Sequence, residues 1–338
     1  MSELEFEFIF EDEDGDDTDK ISYKIIDMFA GTGGFSQAFK KFDGFKSIFA
    51  NDMVKESEDI YKLNHTETKF KVDDIHNVNV TDIPSHNILC NGFPCQPFSI
   101  AGEQKGFKDT RSNVFWKILE ILQFHKPEIV IFENVKNLKS HDGGKTFKII
   151  EQSISEIGYN YKYAILDTCK ITNIPHHRER IYIVCFKDSE LCNKFNFNFP
   201  KVKNKSIKSF LENNIDEKYY YTDKFKVYDE IEKSVTKHIN DNVIYQYRRY
   251  YVRENKNDVC PTLTANMGSG GHNVPLLLDD RGIRKLTPRE CFNLQGFPKD
   301  YKLPNISDSK LYKLAGNAVS VPVVELIAGS IIKIIKNE

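Results

Sequence analysis

The sequence predicts an α/β fold: a doubly wound, mostly parallel sheet with a smaller, irregular second region. Three observations carry that prediction. Short β-rich runs alternate with helix-length segments from residue 24 to residue 186. A glycine-rich turn closes the first of those runs. The alternation then stops near residue 190, and polar, aromatic and basic residues take over to about residue 280. Strands spaced by helices pair in parallel through crossover connections. A chain of 338 residues suffices for one large core and a smaller companion.

The chain opens on charge. Residues 1–20 hold ten acidic side chains (Glu3, Glu5, Glu7, Glu11, Asp12, Glu13, Asp14, Asp16, Asp17, Asp19) and one basic, Lys20. Residues 21–338 keep 46 Lys and Arg against 39 Asp and Glu, a net +7 masked by the whole chain's −2. A basic body suits a polyanionic partner. The tail reads two ways. It is a solvated, solubilising arm, or an acidic strip that rests on the basic body and competes with phosphate. Phe6, Phe8 and Phe10, alternating along one face, keep the second reading open. Its charge is the opposite of a signal peptide's.

Strands are expected at 24–30, 47–52, 87–92, 129–135, 163–167 and 180–186, and helices at 53–64, 113–125 and 145–157. Helical patterning returns at 287–295 and 320–336. In the latter, Val324, Ile327, Ala328, Ile331 and Ile335 form one stripe, the mark of an amphipathic helix. The apolar run 318–335 carries Glu325 and Lys333 and is short for a bilayer, so no membrane segment is expected. The seven cysteines form no C-x-x-C pair and no metal-ligand spacing; reduced thiols in a cytosolic or nuclear protein, without a bound metal, are expected.

Chemistry-bearing residues cluster where the strands should end. D-M-F-A-G-T-G-G (27–34) puts glycines at a strand-to-helix turn, where backbone can approach a ligand or simply turn tightly. Asp52 ends the second run 21 residues after Gly31. That offset suits a carboxylate accepting from ribose hydroxyls, hence an adenosine-containing cofactor. G-F-P-C-Q-P-F-S (92–99) holds Cys95 between Pro94 and Pro97, as a fixed nucleophile or as a packed cysteine at a strand end. F-E-N-V (132–135) ends the next strand and would bring Glu133 near Cys95, as a proton donor or acceptor if buried, or as a water-facing carboxylate if not. I-P-H-H-R-E-R (174–180) supplies Arg178 and Arg180, spaced to share a strand face and grip an oxygen, or to pair through Glu179. Y-Q-Y-R-R-Y-Y-V-R (245–253) interleaves Arg248, Arg249 and Arg253 with aromatics, as a nucleic-acid groove reader or a solvated strand would.

Taken together, F-A-G-T-G-G, G-F-P-C-Q-P-F-S, E-N-V, H-H-R-E-R, R-K-L-T-P-R-E-C-F-N-L-Q-G-F-P (284–298) and A-G-N-A-V (315–319) resemble, in order and spacing, the DNA cytosine-5 methyltransferases. The match runs over nearly all of residues 24–335. The resemblance implies a Rossmann-like core that binds S-adenosylmethionine, with a smaller target-recognition domain. Beyond the acidic tail at 1–20, on which it gives no help, it implies a catalytic and cofactor domain at 21–194, a target-recognition domain at 195–309, and a C-terminal segment, 310–338, returning to the core.

It also implies roles. The Cys95 thiolate adds to cytosine carbon 6, carbon 5 takes the methyl group, and loss of the carbon 5 proton and the thiol restores the ring. Glu133 holds or protonates ring nitrogen 3, Arg180 contacts the ring carbonyl, and Arg178 anchors the loop. Attack on a stacked base is impossible, so the base flips out and the loop 96–113 closes over it. Phe29, Ala30, Gly31 and Gly33 form the cofactor turn; Asp52, where the family usually has Glu, takes the ribose; Asp74 and Ile75 flank the adenine; Asn317 and Val319 close the methionine end. His176 stands where the family commonly carries Gln. Thr262 would meet a phosphate, and Gly270 and Gly271 belong to a loop approaching a groove, while Arg284 and Arg289 brace the domains. The expected partner is double-stranded DNA, with a cognate restriction endonuclease not physically bound. A monomer is expected, cytoplasmic and nucleoid-associated in a bacterium or nuclear in a eukaryote. Methylation of tRNA, an inactive DNA-binding regulator and an NAD-dependent oxidoreductase are the competing readings; the last leaves P-C-Q and H-H-R-E-R unexplained.

Overall fold

A computed structural model describes residues 23–94, 114–223, 228–235, 243–248, 251–255, 258–269 and 273–337. The acidic tail, and with it both readings of its role, lies outside them. The first half of the chain forms β1 (Tyr23–Met28), α1 (Gly34–Phe39), β2 (Phe45–Asp52), α2 (Lys55–Asn64), β3 (Lys69–Val72), β4 (Ile88–Asn91), α3 (Val114–His125), β5 (Ile129–Val135), α4 (Lys145–Glu156), β6 (Asn160–Asp167), α5 (Thr168–Ile171), β7 (Glu179–Phe186) and α6 (Ser189–Lys194).

These strands make one sheet in the order β3-β2-β1-β4-β5-β7-β6. The pairs from β3 to β5 are parallel, whereas β7 runs antiparallel to both β5 and β6. The sheet is therefore mostly parallel, as expected, with two additions. β3 was not expected, because K-F-K-V is a four-residue edge strand with Phe70 alone buried. The reversal of β7 was not expected either, since local periodicity does not encode strand direction. Its effect is large: the parallel strands end, and β7 begins, at the same edge of the sheet.

Both faces of the sheet are covered. Along β1, Ile25 joins one core with Phe35, Phe39, Ile60 and the late residues Val324, Ile327 and Ile331. Ile26 and Met28 join the other with Phe115, Ile118, Phe147 and Ile150. Alternation along the strand thus feeds two apolar layers. Each such fully buried aliphatic side chain contributes roughly 1.5–3 kcal/mol.

The second half forms α7 (Tyr228–Val235), β8 (Ile244–Tyr247), β9 (Val252–Asn255), β10 (Leu276–Asp279), β11 (Gly282–Lys285), α8 (Pro288–Leu294), α9 (Asp308–Asn317) and α10 (Val321–Lys336). The region expected to be irregular contains a four-stranded antiparallel sheet, β11-β10-β8-β9, over a small core that includes Ile231, Tyr245, Leu276 and Ile283. Strands of four residues each are too short to register as a period. α8 starts on a capping box, Thr287 with Glu290, and has Pro288 in its first turn.

Arg284 and Glu290 anchor this sheet to the helices that follow. The Arg284 guanidinium is bidentate on Glu290 (2.8 and 2.9 Å) and reaches Asp279 (2.7 Å) through Nε. Glu290 also accepts the backbone N–H groups of Thr287 (2.8 Å) and Glu212 (3.0 Å). Arg289 donates to the Tyr301 carbonyl at 2.6 Å. The segment Asp308–Lys336 has the length and composition of a membrane span, with 56% of its most apolar window buried. It is, however, broken after Asn317 into α9 and α10, and α10 buries Val321, Val323, Val324, Ile327, Ala328, Ile331 and Ile332. That is a core helix.

Candidate active site

Glu133 lies two residues before the end of β5 and is only 8% exposed. Its Oε1 lies 3.1 Å from Arg180 Nε, which β7 delivers from the antiparallel side by pairing Arg180 with Val135. The contact is an ion pair without hydrogen-bond alignment, so Oε1 has no donor. Burial raises the Glu133 pKa, and the charges of Arg180 and Arg178 oppose that rise. The result is a buried carboxyl group paired with a cation through Oε1.

The adjacent Asn134 donates its side-chain N–H to the Phe93 carbonyl at 2.9 Å. A side chain added at Gly92 would lie 3.8 Å from Glu133 Oε2. The segment Gly92–Pro94 therefore runs past the carboxyl group, tied down by the residue next to it. Cys95 and the loop 96–113 lie outside the described residues. Asn134 was missed by sequence reasoning; its only signal was its place inside E-N-V.

Arg178 does something different from Arg180. Its guanidinium donates to the carbonyls of Leu263 (3.0 Å), Gly316 (3.2 Å) and Ala318 (2.6 Å), and it is 2% exposed. It does not share a face with Arg180 toward an open site. It clamps its own segment to two distant ones, at Leu263 and at Gly316 and Ala318. His176, fully buried, adds a second pin: Nδ1 meets the Leu294 carbonyl and Nε2 accepts from the Leu263 N–H, both at 3.1 Å. This pattern requires the neutral Nδ1–H tautomer, and burial, reinforced by Arg178 and Arg180, pushes its pKa well down. Gly316 allows the close approach, since a Cβ there would lie 2.1 Å from the Thr264 carbonyl carbon.

The candidate cofactor residues line the ends of β1, β2 and β3, three neighbouring strands. Phe29, Gly31 and Gly33 all have positive φ (56°, 51° and 74°). At Gly33 a Cβ would also lie 2.8 Å from His65 Nε2. Ala30 N–H is held by the Asn51 carbonyl at 3.0 Å. Asp52 accepts the Gly31 N–H on Oδ2 (2.8 Å) and the Val54 N–H on Oδ1 (2.9 Å), so its carboxylate is fixed against the glycine turn with lone pairs remaining. Burial raises its pKa and these N–H donors lower it. Met53, 68% exposed beside Asp52, is an apolar surface that sequence reasoning did not single out. Beyond β3, Asp74 is held by His76 N–H (3.0 Å) and Nδ1 (2.7 Å), and Ile75 is buried. Val319 packs against Gly34 at the start of α1, and Asn317 is exposed at the end of α9. This turn, with a tethered carboxylate and an exposed thioether, fits an adenosine group.

Next to Glu133 opens a cleft of about 700 Å³ whose wall includes Lys136, His177, Arg180, Arg248, Arg253 and Thr262. Three of the predicted DNA contacts thus share one concavity with Arg180. Thr262 Oγ1 donates to the His177 carbonyl at 2.6 Å, leaving its lone pairs for another partner. Arg248 pairs with Gln246 at 3.0 Å. Arg249, Gly270 and Gly271 lie outside the described residues.

Comparison with known proteins adds the following. A family model described as C-5 cytosine-specific DNA methylase matches residues 23–333. The Type II methyltransferase M.Bsp6I of Bacillus sp. (strain RFL6) is 46% identical over 314 residues, spanning 92% of this chain and 98% of that protein. The Type II methyltransferase M.HaeII of Haemophilus aegyptius is 38% identical over 314 residues, spanning 92% and 93%. Among solved structures, a DNMT2 of Spodoptera frugiperda superposes with a TM-score of 0.70 at 21% identity, covering 92% of this chain and all of that one, a likeness of fold.

Proposed function

The chain belongs to the C-5 cytosine-specific DNA methylases and methylates carbon 5 of cytosine in DNA, and from that premise we propose how its own residues do so. Cys95 is the nucleophile, adding as thiolate to carbon 6 of a flipped-out cytosine. Glu133 holds a proton at ring nitrogen 3, where its buried carboxyl group, raised in pKa by burial, suits a donor–acceptor contact. Arg180 binds the ring carbonyl oxygen. A positioned acid of this kind contributes roughly 10²–10⁴-fold in rate. Arg178 acts at one remove, holding Leu263, Gly316 and Ala318 in register behind the site.

S-adenosylmethionine is the methyl donor in this reading, supplying an electrophilic methyl group when bound. Phe29, Ala30, Gly31 and Gly33 shape its turn, Asp52 takes the ribose hydroxyls, Asp74 and Ile75 face the adenine, and Asn317 and Val319 close the far end. Residues 21–194 and 310–338 form the catalytic part and 195–309 recognise the target. Arg248, Arg249, Arg253, Thr262, Gly270 and Gly271 face double-stranded DNA. Kinship with Type II methyltransferases supports a modification enzyme paired with a restriction endonuclease that it does not bind, acting as a monomer in the compartment that holds the DNA.

The tether from Asn134 to Phe93 carries this reading, because it holds Gly92–Pro94, the residues just before Cys95, beside Glu133. Cys95→Ser should abolish methyl transfer while leaving donor binding intact, and duplexes containing 5-fluorocytosine should trap a covalent adduct with the wild type. Turnover near wild type in the serine variant would overturn the assignment.

A further inference from the structure

At the end of β6, on the same sheet edge, three side chains meet that the proposed reaction does not use. A carboxylate oxygen of Asp167, the Sγ of Cys169 and an imidazole nitrogen of His177 all lie within 4.8 Å of one another. β6 ends at Asp167, the short α5 turns Cys169 back over it, and the lead-in to β7 brings His177 alongside. Asp167 is 5% exposed. Cys169 is the one cysteine among the described residues that is not buried. The His177 side chain is half exposed on the cleft wall.

We propose that Asp167, Cys169 and His177 form a three-ligand site for a divalent metal ion of the zinc class, with His177 on the cleft wall. The donor set decides the ion. One sulfur, one nitrogen and one oxygen suit a borderline-soft, tetrahedral ion, whereas magnesium and calcium require oxygen ligands throughout. The surroundings already resemble an outer ligand shell. Asp167 Oδ1 accepts the backbone N–H of Arg178 (3.1 Å), and Oδ2 faces His177 Nδ1 (2.8 Å). On the far side of that ring, His177 Nε2 lies 3.9 Å from Glu179 Oε2, too far for a hydrogen bond, and that oxygen already accepts from Lys136. The frame is held: His177 N–H donates to the Cys260 carbonyl (2.8 Å) and Thr168 N–H to the Arg178 carbonyl (3.1 Å).

Three contacts must give way, the first being the bond that Cys169 Sγ–H donates to Asp167 Oδ1 at 3.3 Å, since the thiol must lose that proton to ligate the metal. Tetrahedral ligands at about 2.0–2.3 Å from zinc sit roughly 3.3–3.8 Å apart, so the direct bond between His177 and Asp167 must open by about half to one ångström. The Lys170 ammonium, 3.6 Å from Asp167 Oδ2, must swing outward, which its 63% exposure permits. The ligands at 167, 169 and 177 match no compact sequence motif, which is why spacing along the chain predicted no metal.

Cobalt(II) titration of the full chain tests this, read by sulfur-to-cobalt charge transfer and by the intense visible bands of tetrahedral cobalt. One equivalent should bind with both signals, zinc should displace it, and Cys95→Ser should retain them, which removes the other candidate thiol. Cys169→Ala should abolish the charge transfer, and His177→Ala should weaken binding at least tenfold, with circular dichroism confirming that both variants fold. Absence of saturable binding to the wild type, or signals undiminished in either variant, would overturn the proposal.

Discussion

Arg180 holds its Nε 3.1 Å from Glu133 Oε1, with both side chains largely shielded from water (14% and 10% exposed). The two groups pull the Glu133 proton in opposite directions: burial retains it and the cation expels it. Glu133→Gln should therefore lower single-turnover methyl transfer by roughly 10²–10⁴-fold with little change in DNA affinity. Because the folded-state pKa is raised, Glu133 keeps its proton to higher pH than a free carboxyl group, and its activity as an acid fades as pH rises. Arg180→Met should move that alkaline fall upward, since the opposing cation is gone. A pH–rate profile that does not move would remove Arg180 from this role.

His176 offers one donor and one acceptor to two buried backbone groups, and a glutamine can offer the same pair. His176→Gln should leave stability within about 1 kcal/mol, whereas His176→Leu leaves a carbonyl and an N–H unpaired at roughly 1–3 kcal/mol each. Urea denaturation distinguishes the two. The depressed pKa of His176 also sets a sign. The unfolded chain binds the proton more readily, so its contribution is present above the ordinary histidine pKa of about 6.5 and is lost as pH falls below it. His176→Gln should flatten that part of the stability–pH curve.

Asp52→Ala removes the acceptor of the Gly31 N–H along with any ribose contact. Donor binding should weaken by roughly 1.5–3 kcal/mol, the worth of a hydrogen bond to a charged group. Calorimetry against Asp52→Asn separates the two losses, because the amide oxygen can still accept from Gly31. Equal affinity in all three proteins would move the ribose contact elsewhere.

Much of the fold could be read from the chain because its signals are local. α2, α3 and α4 begin and end within two residues of the periodic segments at 53–64, 113–125 and 145–157. Asp52 also lies where its distance from Gly31 along the chain suggested, on the glycine turn. What escaped was non-local or short. Strand direction in β7, the tether from Asn134 to Phe93, and the clamp of Arg178 on residues 85 to 140 positions away depend on tertiary pairing. β8 to β11 are four residues each, below the length at which alternation separates from chance. α9 was hidden by its neighbour, since the apolar stripe of α10 dominates the C-terminal pattern.

The bond between Arg284 and Glu290 has a bearing on where the second sheet could be exchanged for another. The arginine sits in β11 of the second sheet, and the carboxylate in α8, the helix that follows it. A recombinant that joins a foreign second sheet at a seam between residues 285 and 288 inherits one half of a buried ion pair from each parent. Should the new parent lack the arginine, an uncompensated buried charge is left behind, a loss of several kcal/mol. Viable crossovers should thus fall after Leu294, carrying anchor and sheet as one cassette.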